Sequence, residues 1–333
     1  MAEHDVLTSG AALVAQPPPG LVRVTGADRA SWLQGILTND VQALADGRGC
    51  YAAWLTPQGR MITDAVVLAE DGSLTVEVPA SLADGVCRQL AAAVFAEDVE
   101  LADESGQWAV LGVHGAAAPA TVARALAGSL ESHELAAWPE FAHASAGGAL
   151  VTRRDGYGVP GFMLRVPAGE AGLWTSRLRL AGATPVSGTA LEFARIEAGR
   201  PVFLVDMDAD TIPLEAGIEE RAISFTKGCY VGQEVIVRVL HRGGGRVARK
   251  LVGLSIAGEC VPAARAAVRS DHGDVGRVTS AAWSPRLGHG VALAYVHRDA
   301  AAPGTRVVVA CDGEDVPATV RSFPLNDPEP TVD

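Results

Sequence analysis

The stretch Ser224-Phe-Thr-Lys-Gly-Cys-Tyr-Val-Gly-Gln-Glu234 decides how this chain is read. Lys227 is one of only two lysines, the other being Lys250, among 27 Lys and Arg residues. The arginine surplus looks like coding bias, which makes a lysine in an unusual setting worth attention. Cys229 sits two residues further on, between Gly228 and Tyr230. Two glycines, Gly228 and Gly232, suit a bent backbone that approaches a ligand or another segment closely. A thiol beside an ammonium gains thiolate character, so Cys229 is a candidate reactive group. Gln233 and Glu234 add an amide and a carboxylate, a set able to pair with a heterocycle that presents both donors and acceptors. On the residues alone, a tight turn holding an inert cysteine stays open. The β-branched run from Val235 to Leu240 leaves helix and strand undecided.

Outward from this stretch, the charge is uneven. Residues 221–250 hold seven basic residues and one acid, Glu234, a local charge of +6 in a chain of −12, so the remainder carries −18. Such a chain is a poor general nucleic-acid binder but offers a place for a compact anion. With 333 residues and 48% hydrophobic content it builds a large core, and its length suggests two or three domains. No segment approaches the ~20 apolar residues of a membrane span. The start, MAEHDVLTSG, is acidic where a signal peptide is basic, so a cytoplasmic protein without membrane attachment is expected. Five widely spaced cysteines with no C-x-x-C argue against a disulfide framework, a cysteine zinc site or a bound iron–sulfur cluster. No metal ligand is assigned.

Strands are predicted at 21–25, 51–56 and 61–69, the last two joined by Pro57-Gln-Gly-Arg60, with an Asp71-Gly72 hairpin leading into Leu74–Val78. Helices are predicted from about Asp28, at 81–95, 117–127, 172–180 and 190–198, with further strands at 108–113, 150–153 and 162–166. Hairpins and helices mix without regular β-α-β alternation, which indicates α+β. From about residue 246 only short β-like runs separated by turns remain, which indicates a small barrel-like β domain. The tail from Asn326 to Asp333 reads as loose.

Lys227-Gly-Cys-Tyr-Val-Gly-Gln-Glu234 resembles the K-G-C-Y-x-G-Q-E signature of the YgfZ family of folate-binding proteins, paralogues of the glycine-cleavage T-protein, an aminomethyltransferase. Trp32-Leu-Gln-Gly-Ile-Leu-Thr-Asn-Asp-Val41 and Tyr51-Ala-Ala-Trp-Leu-Thr-Pro-Gln-Gly-Arg60 are similar to two further family blocks. So are Arg195–Pro201, Ile212–Gly217, Val275–Ser280 and Ala292–Val296, in order over roughly residues 20–310.

The resemblance implies a three-domain ring around a central folate channel: two ferredoxin-like α+β domains and a C-terminal β-barrel. The expected division is 1–50 with 145–240, 51–144, and 245–325. It implies tetrahydrofolate or a one-carbon derivative as cofactor, and iron–sulfur proteins or assembly factors as partners, including tRNA-modifying iron–sulfur enzymes. The leading expectation is an accessory role in iron–sulfur assembly or repair; the alternative is folate-dependent aminomethyl or methyl transfer. By the same resemblance Asp64 matches the second acid of a T-protein Asp-Asp pair, with Thr63 replacing the first, and Glu197 matches a pterin-binding carboxylate. Tyr230, Gln233 and Glu234 are assigned to the folate site. Cys229, activated by Lys227, is expected to be a reactive thiol beside it. Arg238, Arg242 and Arg246 are expected to meet the carboxylates of the folate tail.

Overall fold

The computed structural model describes residues 3–241, 245–271 and 273–325. It divides into two compact units: 1–155, 159–186 and 218–236 form the first, and 156–158, 187–217 and 237–333 the second. The division falls within the helix Gln233–His241.

The first unit contains two sheets. One runs through strands Gly49–Leu55, Met61–Glu70, Ser73–Val78, Gly20–Thr25 and Glu100–Asp103, in that order and all antiparallel. Alternation decides its faces. Ala52, Trp54, Ala65 and Val67 point into a core completed by Trp32, Leu33, Val86 and Leu90 from the helices. The residues between them, Tyr51, Asp64 and Val66, take the other face.

The second sheet of this unit orders Thr184–Pro185, Ala12–Gln16, Trp108–His114, Gly161–Pro167, Ala149–Arg153 and His143–Ala146. Its core gathers Leu111, Val113, Phe162 and Leu164 with Val122, Trp174 and Leu178 of two covering helices. Strand pairing thus changes from one sheet to the other between residues 16 and 20 and between 103 and 108.

The second unit carries a closed antiparallel barrel. Its strands follow the order Arg249–Ile256, His289–His297, Gly273–Ser284, Ala267–Ser270, Arg306–Cys311 and Glu314–Arg321. Val252, Leu254, Val278, Ala292, Ala294 and Val309 fill it. The expected α+β class with a terminal barrel is the architecture seen. Two differences stand out. Cys260 and Cys311 form a disulfide, with Cα atoms 6.6 Å apart, where no disulfide was expected. Barrel closure brings together residues 51 apart in sequence, which spacing does not reveal. The undecided run 235–240 is helical, within Gln233–His241, because Ile236 is fully buried and tertiary packing overrides β propensity. Among the described residues no helix is long and apolar enough to cross a membrane, and no group of three or more His, Cys, Asp or Glu is placed to hold a metal ion. The tail from Asn326 lies outside the described residues.

Candidate functional site

In the first unit, three separate sequence blocks converge. The turn after helix Arg29–Gln34 places Thr38 and Asn39 between strand Gly49–Leu55 and the segment 218–230. Thr38 Oγ1 donates to Ala222 O at 2.6 Å and accepts from Ala53 N at 2.8 Å. Asn39 Nδ2 donates to both Tyr51 O, 2.8 Å, and Arg221 O, 2.9 Å. Glycine sets the remaining contact. Gly232 has φ +86°, and a Cβ there would lie 2.6 Å from Thr56 O; Gly59 has φ +75°, and a Cβ there would lie 2.9 Å from Val235 Cβ. The loop Pro57–Arg60 and the signature segment therefore interlock backbone against side chain.

On the outward face of the hairpin, register sets Asp64 opposite Ala53, one pleat from Tyr51. Tyr51 donates its phenol to Asp64 Oδ2 at 2.8 Å. Arg221 lies over the Tyr51 ring, 5.1 Å from its centroid, and donates to Glu140 at 2.9 Å. Burial pushes the Asp64 carboxyl up to about 6, against the pull of the Tyr51 hydrogen bond and the Arg221 charge. A carboxyl in that range changes protonation close to neutrality, as a proton-transfer group requires.

Lys227 has a different task from the one expected. Its Nζ donates to Gln34 O and Leu37 O at 2.6 Å and to Asn39 O at 2.9 Å, so all three donors are taken. Its ammonium also stands over the Tyr230 ring at 5.3 Å. Burial lowers it to about 8. The thiol in its electrostatic neighbourhood is Cys50, which burial pushes up to about 12. Cys229 is a free, exposed thiol, and Lys227 has no donor left for it. Tyr230 is buried, and burial raises its phenol to about 12. Gln233 is half-buried and opens the helix, and Glu234 is exposed in its first turn.

The second unit holds Glu197 and Asp206 in side-chain hydrogen-bond networks. Glu197, 5% exposed, ends the helix Gly188–Glu197. Its carboxylate accepts from Ser284 and, at 2.5 Å, from Arg286. Arg195 on the same helix donates to Asp206 at 2.7 Å and to Ser280 at 2.8 Å. Thr279 and Ser280 both donate to Asp206 Oδ1 at 2.6 Å. Adjacent strand residues normally face opposite ways; a register shift between Val278 and Ser280 lets these two converge. Arg238 and Arg246 are exposed, and Arg242 lies outside the described residues.

A model of the GCVT N-terminal domain matches residues 1–227, and one of the glycine cleavage T-protein C-terminal barrel domain matches 249–327. The chain belongs to the glycine cleavage T-protein family. An aminomethyltransferase of Rubrobacter xylanophilus is 31% identical, over 98% of this chain and 88% of its own length. One from Streptomyces coelicolor is 31% identical, over 97% and 88%. The crystal structure of glycine cleavage system aminomethyltransferase T from Bartonella henselae has a TM-score of 0.86 at 22% identity, covering 97% of this chain and 88% of its own, and so shares the fold.

Within this T-protein-family chain, sequence reasoning missed Tyr51 and Arg221 as partners of Asp64, and Ser284 and Arg286 as partners of Glu197. Tyr51 carried a usable signal: with the Pro57–Arg60 turn placed, strand pairing puts Tyr51 and Asp64 on one face. Arg286 carried none, because its role depends on a contact 89 residues away in sequence.

Proposed function

We propose that this chain binds tetrahydrofolate and uses it in one-carbon transfer of the aminomethyl or methyl class. The observation that carries the reading is the Tyr51–Asp64 pair: a half-buried carboxyl held at 2.8 Å by a phenol and raised to about 6. The family membership and the aminomethyltransferase names of its relatives support it. These names favour transfer over the iron–sulfur accessory role that the sequence first suggested.

The residues fit such a cofactor at Asp64. The carboxylate accepts N–H groups of a reduced pterin, and among the described residues Tyr51 is the side chain that hydrogen-bonds it. When bound, tetrahydrofolate supplies the nitrogen that carries the one-carbon unit. Asp64 would hold or release a proton beside that nitrogen, Tyr51 would fix the carboxyl's orientation, and Arg221 would keep the phenol ring in place. Glu197 fits less readily, since Ser284 and Arg286 already occupy its carboxylate. Calorimetric titration with tetrahydrofolate tests the reading. Native protein is expected to bind and Asp64→Asn to bind at least tenfold more weakly; absence of binding by the native chain overturns it.

A second reading retains membership of the YgfZ group and support of iron–sulfur enzymes. It is favoured by the intact eight-residue signature and the exposed thiol of Cys229. Cys229→Ser is then expected to abolish support of an iron–sulfur client while leaving tetrahydrofolate binding intact; undiminished support removes this reading.

A further inference from the structure

The second lysine marks a separate place. Arg246, Lys250 and Arg298 line an open cleft of about 550 Å3 on the barrel unit, within the size range of small-ligand sites. Val247 and Ala301 give it an apolar wall, and Asp299 is its acid. Asp299 lies 3.6 Å from Arg298 and 3.4 Å from His297. Neither the Arg246 nor the Lys250 side chain has an ion-pair or hydrogen-bond partner among the described residues. With Arg298 offset by Asp299, two unpaired positive charges remain on one concave wall.

The backbone holds this wall in place. Lys250 stands in strand Arg249–Ile256, paired with Val296, and Arg298 follows directly after strand His289–His297 with its N–H on Ala248 O at 3.1 Å. Two cations on paired strand ends converge at little entropic cost when a ligand arrives. The chain's other 303 residues outside 221–250 carry −18, so an extended polyanion meets repulsion away from the basic segment. A compact anion does not. Guanidinium forks suit bidentate oxygen pairs, and the ammonium adds a point charge.

We propose that this cleft binds a compact organic dianion, presenting either a phosphoryl group or a pair of carboxylates. It uses none of the groups around Asp64, although Arg246, first expected at the folate tail, lines it. Calorimetry on the full chain at about 50 mM salt, with inorganic pyrophosphate and separately with succinate, tests it. At least one probe is expected to bind. The double variant Arg246→Gln/Lys250→Gln should bind at least tenfold more weakly, and Arg298→Gln at least threefold. Stronger binding of pyrophosphate identifies the phosphoryl source, and stronger binding of succinate the carboxylate source. Binding of neither probe, or native-like binding by the double variant with an unchanged melting midpoint, overturns the proposal.

Discussion

Asp64 and Glu197 were both expected to be ligand-binding carboxylates, and the structure treats them differently. Asp64 has one phenol partner, and burial leaves its proton affinity high. Glu197 is more deeply placed but is met by a serine and an arginine, so its charge is compensated inside the fold. The difference teaches that burial alone does not mark a working carboxylate. A working one is buried with its charge incompletely answered; a structural one is buried with its charge answered.

The largest effect separating the two kinds should come from the answered side. Arg195 and Asp206 form an ion pair with side chains 6% and 0% exposed. Replacing Arg195 with Met strands Asp206 with only hydroxyl and amide donors. We expect a loss of about 3–5 kcal/mol, the usual cost of breaking a buried pair, read as urea unfolding of the barrel unit. A loss under about 1 kcal/mol would put this network among weak surface pairs. Next in size is Lys227→Met, which leaves the carbonyls of Gln34, Leu37 and Asn39 without their donor. A loss of about 2–3 kcal/mol follows from charge-assisted bonds to partly buried acceptors. If Lys227 instead served mainly to activate Cys229, stability would hardly change while thiol alkylation of Cys229 slowed.

These two networks also show what was legible in advance. The α+β class, the Asp71-Gly72 hairpin and the barrel follow from alternation and turn residues, which are local. Asp64 emerged from the family resemblance, while its partner Tyr51 did not, although strand pairing across the short Pro57–Arg60 turn sets the two on one face. Asp206, Thr279 and Ser280 stayed hidden because a β-bulge aims the two hydroxyls, and a bulge leaves little trace in composition. The Cys260–Cys311 pairing stayed hidden for the same kind of reason: barrel closure makes it, over 51 residues. Lys227 was correctly singled out as unusual, yet its partners lie 188 to 193 residues earlier, and proximity in sequence suggested Cys229 instead.

On the unanswered side, Asp64→Asn should stabilise. The folded carboxyl protonates near 6 and the free one near 3.8. Between those values the folded state holds the proton more firmly, so stability contributed by the protonated carboxyl is full below about pH 4 and lost as pH rises through 6. Asn cannot lose it. The variant is expected to be about 2 kcal/mol more stable at pH 7, allowing for solvent around a half-buried group, and equal to native at pH 3.5. Paired denaturation curves at the two pH values check this, and a pH-independent difference would remove burial as the cause. The same variant should lose tetrahydrofolate affinity, so one substitution trades function against stability.

The smallest effect sharpens the comparison most. Arg286 is about one-third exposed and holds one oxygen of Glu197, while Ser284 holds the other. Arg286→Gln keeps a donor at that place and removes the charge. Because the pair opens on solvent at the arginine end, stability should fall by only about 1 kcal/mol. If Glu197 is structural, tetrahydrofolate affinity should stay within threefold of native. If Glu197 instead accepts the pterin after release from Arg286, removing the competitor should strengthen binding tenfold or more. Calorimetry on this single variant therefore decides whether an answered carboxylate can be recruited by a ligand, or whether charge compensation within the fold has taken it out of the binding machinery. A structural Glu197 is the outcome the geometry supports, since each of its carboxylate oxygens already accepts a charge-assisted hydrogen bond from within the fold.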